Sequence, residues 1–200
     1  LLRGDPLNVN VQAAYFAGGA PARAPVRWSV FVQPFWFSSD TAPNFSFADV
    51  DDAYAWYAAD ESSFLFGGLI AEGEGETDAQ GRFTLTLPAS IYERLPVLPS
   101  DVGVRTGSQT LIIDVEVTDV DGQVIASQGV VTVHAGAFYV GLRPERYVTG
   151  AGQPQQISII TLTPQGNPAP NRSLNVEVYE REWYSVREQG ADGRFYWTSA

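Results

Sequence analysis

The sequence predicts an all-β protein built from short antiparallel strands, and three observations point to this fold class. Apolar and polar residues alternate along most segments, which is typical of strands with one buried face. Clusters of Gly, Pro, Asn and Asp separate these segments, as expected for tight turns. The chain lacks a long apolar stripe at helical spacing, and its best helical candidate, 49–59, is interpreted as a loop. Together these patterns favour an antiparallel sandwich.

Four segments show the alternation most clearly, and each is predicted to be a half-buried strand. Their apolar faces are, in chain order, Trp28, Val30 and Val32; Phe83, Leu85 and Leu87; Ile113, Val115 and Val117; Leu174, Val176 and Val178. The first strand is expected to run through about Phe37. The third is expected to span 111–118 and to pair with a strand at 124–133 through a hairpin turn at Asp121-Gly122.

A weak internal repeat suggests two domains. Ala24-Pro25 and the strand after it resemble Ala169-Pro170 and the strand after it, and Gly81-Arg82-Phe83 resembles Gly193-Arg194-Phe195. The first copy carries extra residues, which fall near 38–68, where the composition changes to aromatic and acidic residues. We therefore expect a sandwich at 1–136 with an inserted excursion near 38–68, and a second, incomplete sandwich at 137–200.

Composition excludes several classes of function. The 12 basic residues are all arginine against 23 acidic ones, the net charge is −11, and the chain has no cysteine. An acidic, lysine-free chain is a poor partner for nucleic acid. Without cysteine, and with His134 as its one histidine, it offers no thiolate or multi-histidine metal site. The sequence has no stretch of about 18 consecutive apolar residues, so direct membrane insertion is not expected. Because the chain lacks an initiator methionine, we expect an internal piece of a larger protein.

The acidic residues of the excursion are the first candidate site. Asp49, Asp51, Asp52, Asp60 and Glu61 could hold calcium through their oxygens. The EF-hand spacing is absent, so a solvated acidic loop is the favoured interpretation. Asp119-Val120-Asp121-Gly122 also resembles part of a calcium loop, but its position between two predicted strands favours a hairpin turn.

Three carboxylates in one strand are the second candidate. Glu72, Glu74 and Glu76 alternate with glycine, so in a strand they point to one face. A pair of carboxylates could act as acid and base on a glycoside. The favoured interpretation is an exposed edge strand that the charges keep soluble.

The remaining candidates are His134 and a group of aromatic residues. His134 follows Val133 on the opposite face of its strand, so it is expected to be exposed at the domain boundary rather than to act as a base. Tyr54, Trp56 and Tyr57 could stack on sugars, or could fill a core or a domain contact. No phosphate-binding glycine loop or nucleophile elbow is present. We therefore assign no catalytic, cofactor-binding or metal-binding residue.

Longer motifs resemble a known family. Residues 138–147 read Phe-Tyr-Val-Gly-Leu-Arg-Pro-Glu-Arg-Tyr, residues 166–170 read Gly-Asn-Pro-Ala-Pro, and residues 176–183 end in Glu-Arg-Glu-Trp before the Gly-Arg-Phe at 193–195. This part resembles the fourth macroglobulin-like domain of bacterial alpha-2-macroglobulins. The first part resembles the third such domain through 10–13, Pro25-Val26, Phe45-Ser46-Phe47 and 76–83.

The resemblance implies two tandem Ig-like, macroglobulin-like sandwiches in a bacterial protease trap. In this family a protease cleaves a bait segment and the molecule rearranges, and some members carry a thioester motif, Cys-x-Glu-Gln, which this cysteine-free chain cannot contain. It implies a non-enzymatic frame whose partners are other domains of the same chain and, through the parent, target proteases. The implied location is the periplasm or cell surface, with a lipid anchor on the parent. The alternative is a carbohydrate-binding or adhesin-type module of a secreted or surface protein.

Overall fold

The structure is a computed structural model, and it describes residues 1–48, 68–95, 98–100, 103–105, 107–180, 185–189 and 194–199. Every ladder between its strands is antiparallel. The helical element of the described chain is one short 3-10 helix, Ala89–Arg94. The all-β, antiparallel fold class is therefore confirmed.

The strands, numbered in chain order, form one four-stranded sheet and several two-stranded pairs. They are β1 (Leu7–Gln12), β2 (Pro25–Pro34), β3 (Gly68–Glu76), β4 (Arg82–Leu87), β5 (Leu98–Ser100), β6 (Gly103–Arg105), β7 (Gln109–Thr118), β8 (Val124–Val133), β9 (Tyr139–Pro144), β10 (Ile157–Leu162), β11 (Ser185–Gln189) and β12 (Phe195–Ser199). The large sheet has the order β3-β2-β7-β8, and the pairs are β1-β4, β5-β6, β9-β10 and β11-β12.

The core lies between the inner face of the four-stranded sheet and a second layer made by β1, β4 and the 3-10 helix. Val26, Val30 and Leu111 are almost fully buried at its centre. The β1-β4 layer contributes Leu7, Leu85 and Leu87, and the helix contributes Ile91 and Tyr92. Burial of this apolar surface, at about 25 cal/mol per Å², is the main force that holds the sandwich together.

The alternation along β7 predicts its buried face correctly. Ile113, Val115 and Val117 all point into the core, while Asp114 and Glu116 lie on the other face.

Strand β2 ends at Pro34, whereas the sequence predicts that it runs to about Phe37. Proline has no N–H to donate and is found at strand ends, and beyond it a single backbone hydrogen bond, from Phe35 N–H to the Ser108 carbonyl at 3.0 Å, continues the pairing.

The prediction of a strand at Leu174, Val176 and Val178 is wrong. Residues 172–180 form no ladder in the structure, and Val178 is 89% exposed. Alternation indicates which face a strand would bury, but a strand also needs a neighbour to accept and donate its backbone hydrogen bonds. Within the described residues this segment has no such neighbour.

The chain divides into two compact units, Leu1–Pro170 and Asn171–Ala200. The first contains the sandwich and the β9-β10 hairpin, and the second contains the β11-β12 pair. The division at 136 and 137 stays a prediction. In the described parts of both units, no helix is long and apolar enough to cross a membrane.

Candidate functional site

The three glutamates of β3 are exposed on an edge strand of the large sheet. Glu72, Glu74 and Glu76 are all exposed, and β3 is the first strand of the large sheet. Glu74 Oε1 is 3.3 Å from Arg27 Nε of the neighbouring strand, in an ion pair that is open to solvent. Charges on an exposed edge oppose pairing with another chain. This geometry supports the edge-strand interpretation.

The glycines between these glutamates make room for aromatic rings. A Cβ on Gly73 would lie 2.4 Å from the Trp28 ring, and one on Gly75 would lie 2.4 Å from the Phe83 ring. The Glu-Gly alternation therefore has a packing cause, because only a residue without a side chain lets these rings cover the inner face of β3.

The Asp119 to Gly122 sequence forms a hairpin turn, as predicted. Asp119 Oδ1 accepts hydrogen bonds from the backbone N–H groups of Asp121 and Gln123, both at 2.9 Å. Gly122 has a φ of 80°, a left-handed conformation that glycine adopts readily. The carboxylate is thus used by the turn itself, and no group of three or more His, Asp or Glu residues suited to a metal occurs within the described residues.

Two other candidate groups fall outside the described residues. These are the acidic cluster Asp49, Asp51, Asp52, Asp60 and Glu61, and the aromatic group Tyr54, Trp56 and Tyr57. The calcium and sugar-stacking hypotheses therefore stay predictions.

His134 is half-buried, so the prediction that it is exposed is wrong. Its Nδ1 lies 2.7 Å from the hydroxyl of Tyr139, and its ring meets Phe35 edge to face at 5.7 Å. Strand parity places His134 on the face away from Val133, as expected. That face is covered at this end of β8 by the rings of Phe35 and Tyr139.

A chain of hydrogen bonds connects three strand ends through His134. Ala135 N–H donates to Ser108 Oγ at 3.0 Å, and Ser108 Oγ lies 2.7 Å from Tyr139 Oη. With neutral His134, each hydroxyl can accept one hydrogen bond and donate the next, so that the chain ends at the imidazole Nδ1. A protonated imidazole would donate instead, and Ser108 would then accept from both Tyr139 and Ala135 and lose the acceptor for its own proton.

Burial lowers the pKa of His134 from its ordinary value of 6.5, and the α-amino group of Leu1 acts in the same direction. Burial also raises the pKa of Tyr139 above 10.0. Both groups are therefore neutral at pH 7, which is the state that the hydrogen-bond chain requires.

The pH dependence of stability follows from this shift. The unfolded chain binds a proton at His134 near pH 6.5 while the folded chain does not, so the free energy of unfolding should fall as the pH drops below 6.5 and level off below the folded pKa. Urea titrations of the wild type and His134→Gln between pH 7.5 and 5 check this. Glutamine can accept from Tyr139 without titrating, so the variant should lose less stability on acidification. Equal losses in both proteins would contradict the role of His134.

Residues 35–47, which we name the latch segment, carry the aromatic part of the same junction. Phe37 stacks on Tyr139 with ring centroids 4.0 Å apart, and Phe47 meets Phe37 edge to face at 4.9 Å. Arg143 lies over the Phe45 ring at 4.9 Å from its centroid. Stacked and edge-to-face rings each contribute about 0.5–1.5 kcal/mol beyond their buried area, so this cluster holds the segment firmly on β9.

The backbone of the latch segment also pairs with β9. Ser46 and Leu142 exchange two N–H···O hydrogen bonds of 2.9 Å, in an antiparallel bridge. The Phe47 ring covers Gly141, where a Cβ would lie 2.6 Å from it. Thr41 Oγ1 reaches the carbonyl of Gly166 at 3.4 Å, beyond β10. The described part of the excursion therefore fixes the β9-β10 hairpin to the sandwich.

Sequence reasoning missed this junction as a site, although one signal was present. The change of composition at Asn44 to Phe47 marked the segment as unusual. Its contacts with residues almost a hundred positions further along the chain leave no trace in periodicity. The junction is built for packing and orientation, and its chemistry is that of neutral hydrogen bonds and aromatic contacts.

Comparisons with known proteins give a fold likeness. Neither protein-family models nor curated protein sequences match this chain. Among solved structures, the native conformation of Escherichia coli alpha-2-macroglobulin covers 100% of this chain at a TM-score of 0.55 and 13% identity, over 12% of its own length. The trypsin-activated Escherichia coli protein gives 0.53 and 14%, over 13% of its length. A Salmonella alpha-2-macroglobulin reacted with methylamine gives 0.53 and 14%, over 12%.

At identities this low the likeness concerns the fold alone. The chain spans about an eighth of the length of these structures, and it is similar in fold to a segment of bacterial alpha-2-macroglobulins along its whole length.

Proposed function

We propose that this chain is a non-enzymatic frame module of a bacterial alpha-2-macroglobulin-like protease trap. The observation that carries the proposal is the fold likeness over 100% of the chain, across both of its units, to bacterial alpha-2-macroglobulins. The motif resemblance at 138–147 and 166–170 points to the same family from the sequence. We assign the module to the third and fourth macroglobulin-like domains.

The junction gives this module a mechanical task. A frame that rearranges after bait cleavage has to transmit movement from one domain to the next without deforming. In the first unit the latch segment joins the sandwich to the β9-β10 hairpin through paired backbone and stacked rings. Well-packed contacts of this kind move as one body, because close-packed interiors transmit strain.

The proposal extends to location and partners. The parent protein would lie in the periplasm or on the cell surface, with a lipid anchor, and this module would contact other domains of the same chain. Target proteases would be met through the whole molecule, at a bait segment outside this module.

The experiment that tests the proposal uses the full-length protein. It is incubated with an active protease, and the trapped protease is then offered a small peptide substrate and a large protein substrate. If the protein is a protease trap, we expect the small substrate to be cleaved still, while cleavage of the large substrate is lost. Equal cleavage of both substrates with and without the full-length protein would refute the proposed function.

A further inference from the structure

The outer face of the four-stranded sheet carries a row of apolar side chains that crosses all four strands. The strand register places its members directly opposite one another. They are Leu69, Phe31, Ile112 and Val130, and we name this row the outer stripe. Leu69 is 51% exposed and Val130 65% exposed at its two ends, while the two central side chains are half-buried.

The rows beside the outer stripe differ in charge. On one side, the next two rows of the same face contain Glu72, Asp114, Glu74 and Glu116. The row on the other side is Gln33, Thr110 and Thr132, which are all uncharged. Alternate residues along a strand are about 7 Å apart, so the acidic rows lie about 7 and 14 Å from the stripe. The stripe thus has one acidic flank and one flank without charged side chains.

The acidic flank keeps an excess of negative charge. Its one cation is Arg27, which pairs with Glu74. Asp114 accepts a hydrogen bond of 2.8 Å from Gln128, an amide that brings no charge. The carboxylates of Glu72, Asp114 and Glu116 are therefore available to a cationic partner.

The two edge strands of the sheet, β3 and β8, differ in charge. The β3 edge carries three glutamates, which discourage pairing with other chains. The β8 edge, beside Val130, reads Val-Ile-Ala-Ser-Gln-Gly-Val-Val-Thr-Val without a single charge, and seven of its ten residues are exposed. An uncharged exposed edge continuous with an apolar stripe is typical of a surface that is covered in use.

We infer that the outer stripe is a docking surface for a basic protein surface, one that presents an apolar row with Lys or Arg on one flank at about 7 and 14 Å. A second copy of this chain fits poorly, because the two acidic rows offer one arginine against four carboxylates and the chain carries a net charge of −11. Anionic lipid and nucleic acid are opposed by the same charges. This inference does not depend on the proposed function.

The test uses two synthetic amphipathic helical peptides as probes. Both have a leucine face, and one has lysines on its flank where the other has glutamates. The stripe spans four strands, about 14 Å, which matches the length of about three helical turns. We expect the lysine peptide to bind at least about tenfold more tightly than the glutamate peptide, and more weakly as salt is added.

Variants assign the binding to the stripe. Val130→Asp and Leu69→Asp, both at exposed positions, should weaken binding of the lysine peptide about tenfold. Val120→Asp, at a still more exposed valine of the β7-β8 turn, should change it by less than about twofold. The double variant Glu72→Gln and Glu116→Gln should weaken binding several-fold and flatten its salt dependence, whereas Glu145→Gln on the hairpin should not.

Three results of the binding experiments would overturn the inference. They are equal binding of the two peptides, absence of binding at millimolar lysine peptide, and equal losses in Val130→Asp and Val120→Asp. Sedimentation of the wild type provides the remaining check. A monomer is expected, and a dimer that Val130→Asp dissociates would assign the stripe to a second copy and refute a basic partner.

Discussion

Replacing Gly141 with valine is expected to release the β9-β10 hairpin from the sandwich while the sandwich itself stays folded. Gly141 is buried under the Phe47 ring, and a Cβ would lie 2.6 Å from that ring and 3.1 Å from Ile160. Phe47 is held in turn by Phe37, so it cannot move aside without breaking the aromatic cluster. Overpacking of this kind costs about 1–3 kcal/mol.

Hydrogen exchange measures this release directly. The amides of Ser46 and Leu142, which pair across the junction, should exchange roughly 5- to 150-fold faster in Gly141→Val, while the amides of β2 and β7 keep their protection. Gly129→Val is the matched control, because Gly129 also lies in a strand but has no atom within 4 Å of its Cβ position. Valine favours strands, so intrinsic propensity works against the expected effect. Equal protection in both variants would contradict the role of the latch segment.

Replacing Gly81 with alanine is expected to destabilise the first unit by about 2–4 kcal/mol. Gly81 has a φ of 74°, a left-handed conformation that costs alanine about 1 kcal/mol, and a Cβ there would lie 2.5 Å from the carbonyl oxygen of Ala13. That carbonyl belongs to backbone, which cannot swing away as a side chain can. The turn is also held by Asp78, whose Oδ1 accepts from the N–H groups of Gln80 and Arg82 at 2.8 Å.

The comparison for this prediction is Gly122→Ala in the β7-β8 hairpin. Gly122 occupies the same position of a similar turn, with a φ of 80°, but nothing lies within 4 Å of its Cβ position. We expect it to lose only about 1 kcal/mol in urea unfolding, from the backbone conformation alone. If both variants lose the same stability, the close approach of Gly81 to the Ala13 carbonyl contributes nothing, and this prediction is wrong.

The parts of the fold that were predictable from sequence are those set by local pattern. The apolar face of β7 and the turn at Asp119 to Gly122 depend on residues within a few positions of one another, so periodicity and turn chemistry reveal them. The same local information misleads at Leu174 to Val178. There the alternation is present, but pairing depends on a neighbouring strand, which no local pattern encodes.

The junction was beyond prediction because its contacts are long-range. Phe37 and Tyr139 are about a hundred positions apart, yet their rings stack with centroids 4.0 Å apart, and no local pattern encodes such a contact. The half-buried state of His134 has the same origin: strand parity gives its face correctly, but the cover over that face comes from Phe35 and Tyr139. Composition marked the excursion as unusual without indicating what it contacts.

The proposed frame module of a protease trap has to keep the β9-β10 hairpin fixed to the sandwich, and one measurement tests this requirement most directly. The full-length protein is prepared as wild type, Gly141→Val and Gly129→Val, and each form is incubated with protease and assayed for shielding against a large protein substrate. The frame predicts that Gly141→Val shields a smaller fraction of the protease while Gly129→Val matches the wild type. Undiminished shielding by Gly141→Val, in a protein whose hairpin is shown by hydrogen exchange to be released, would contradict the proposed frame.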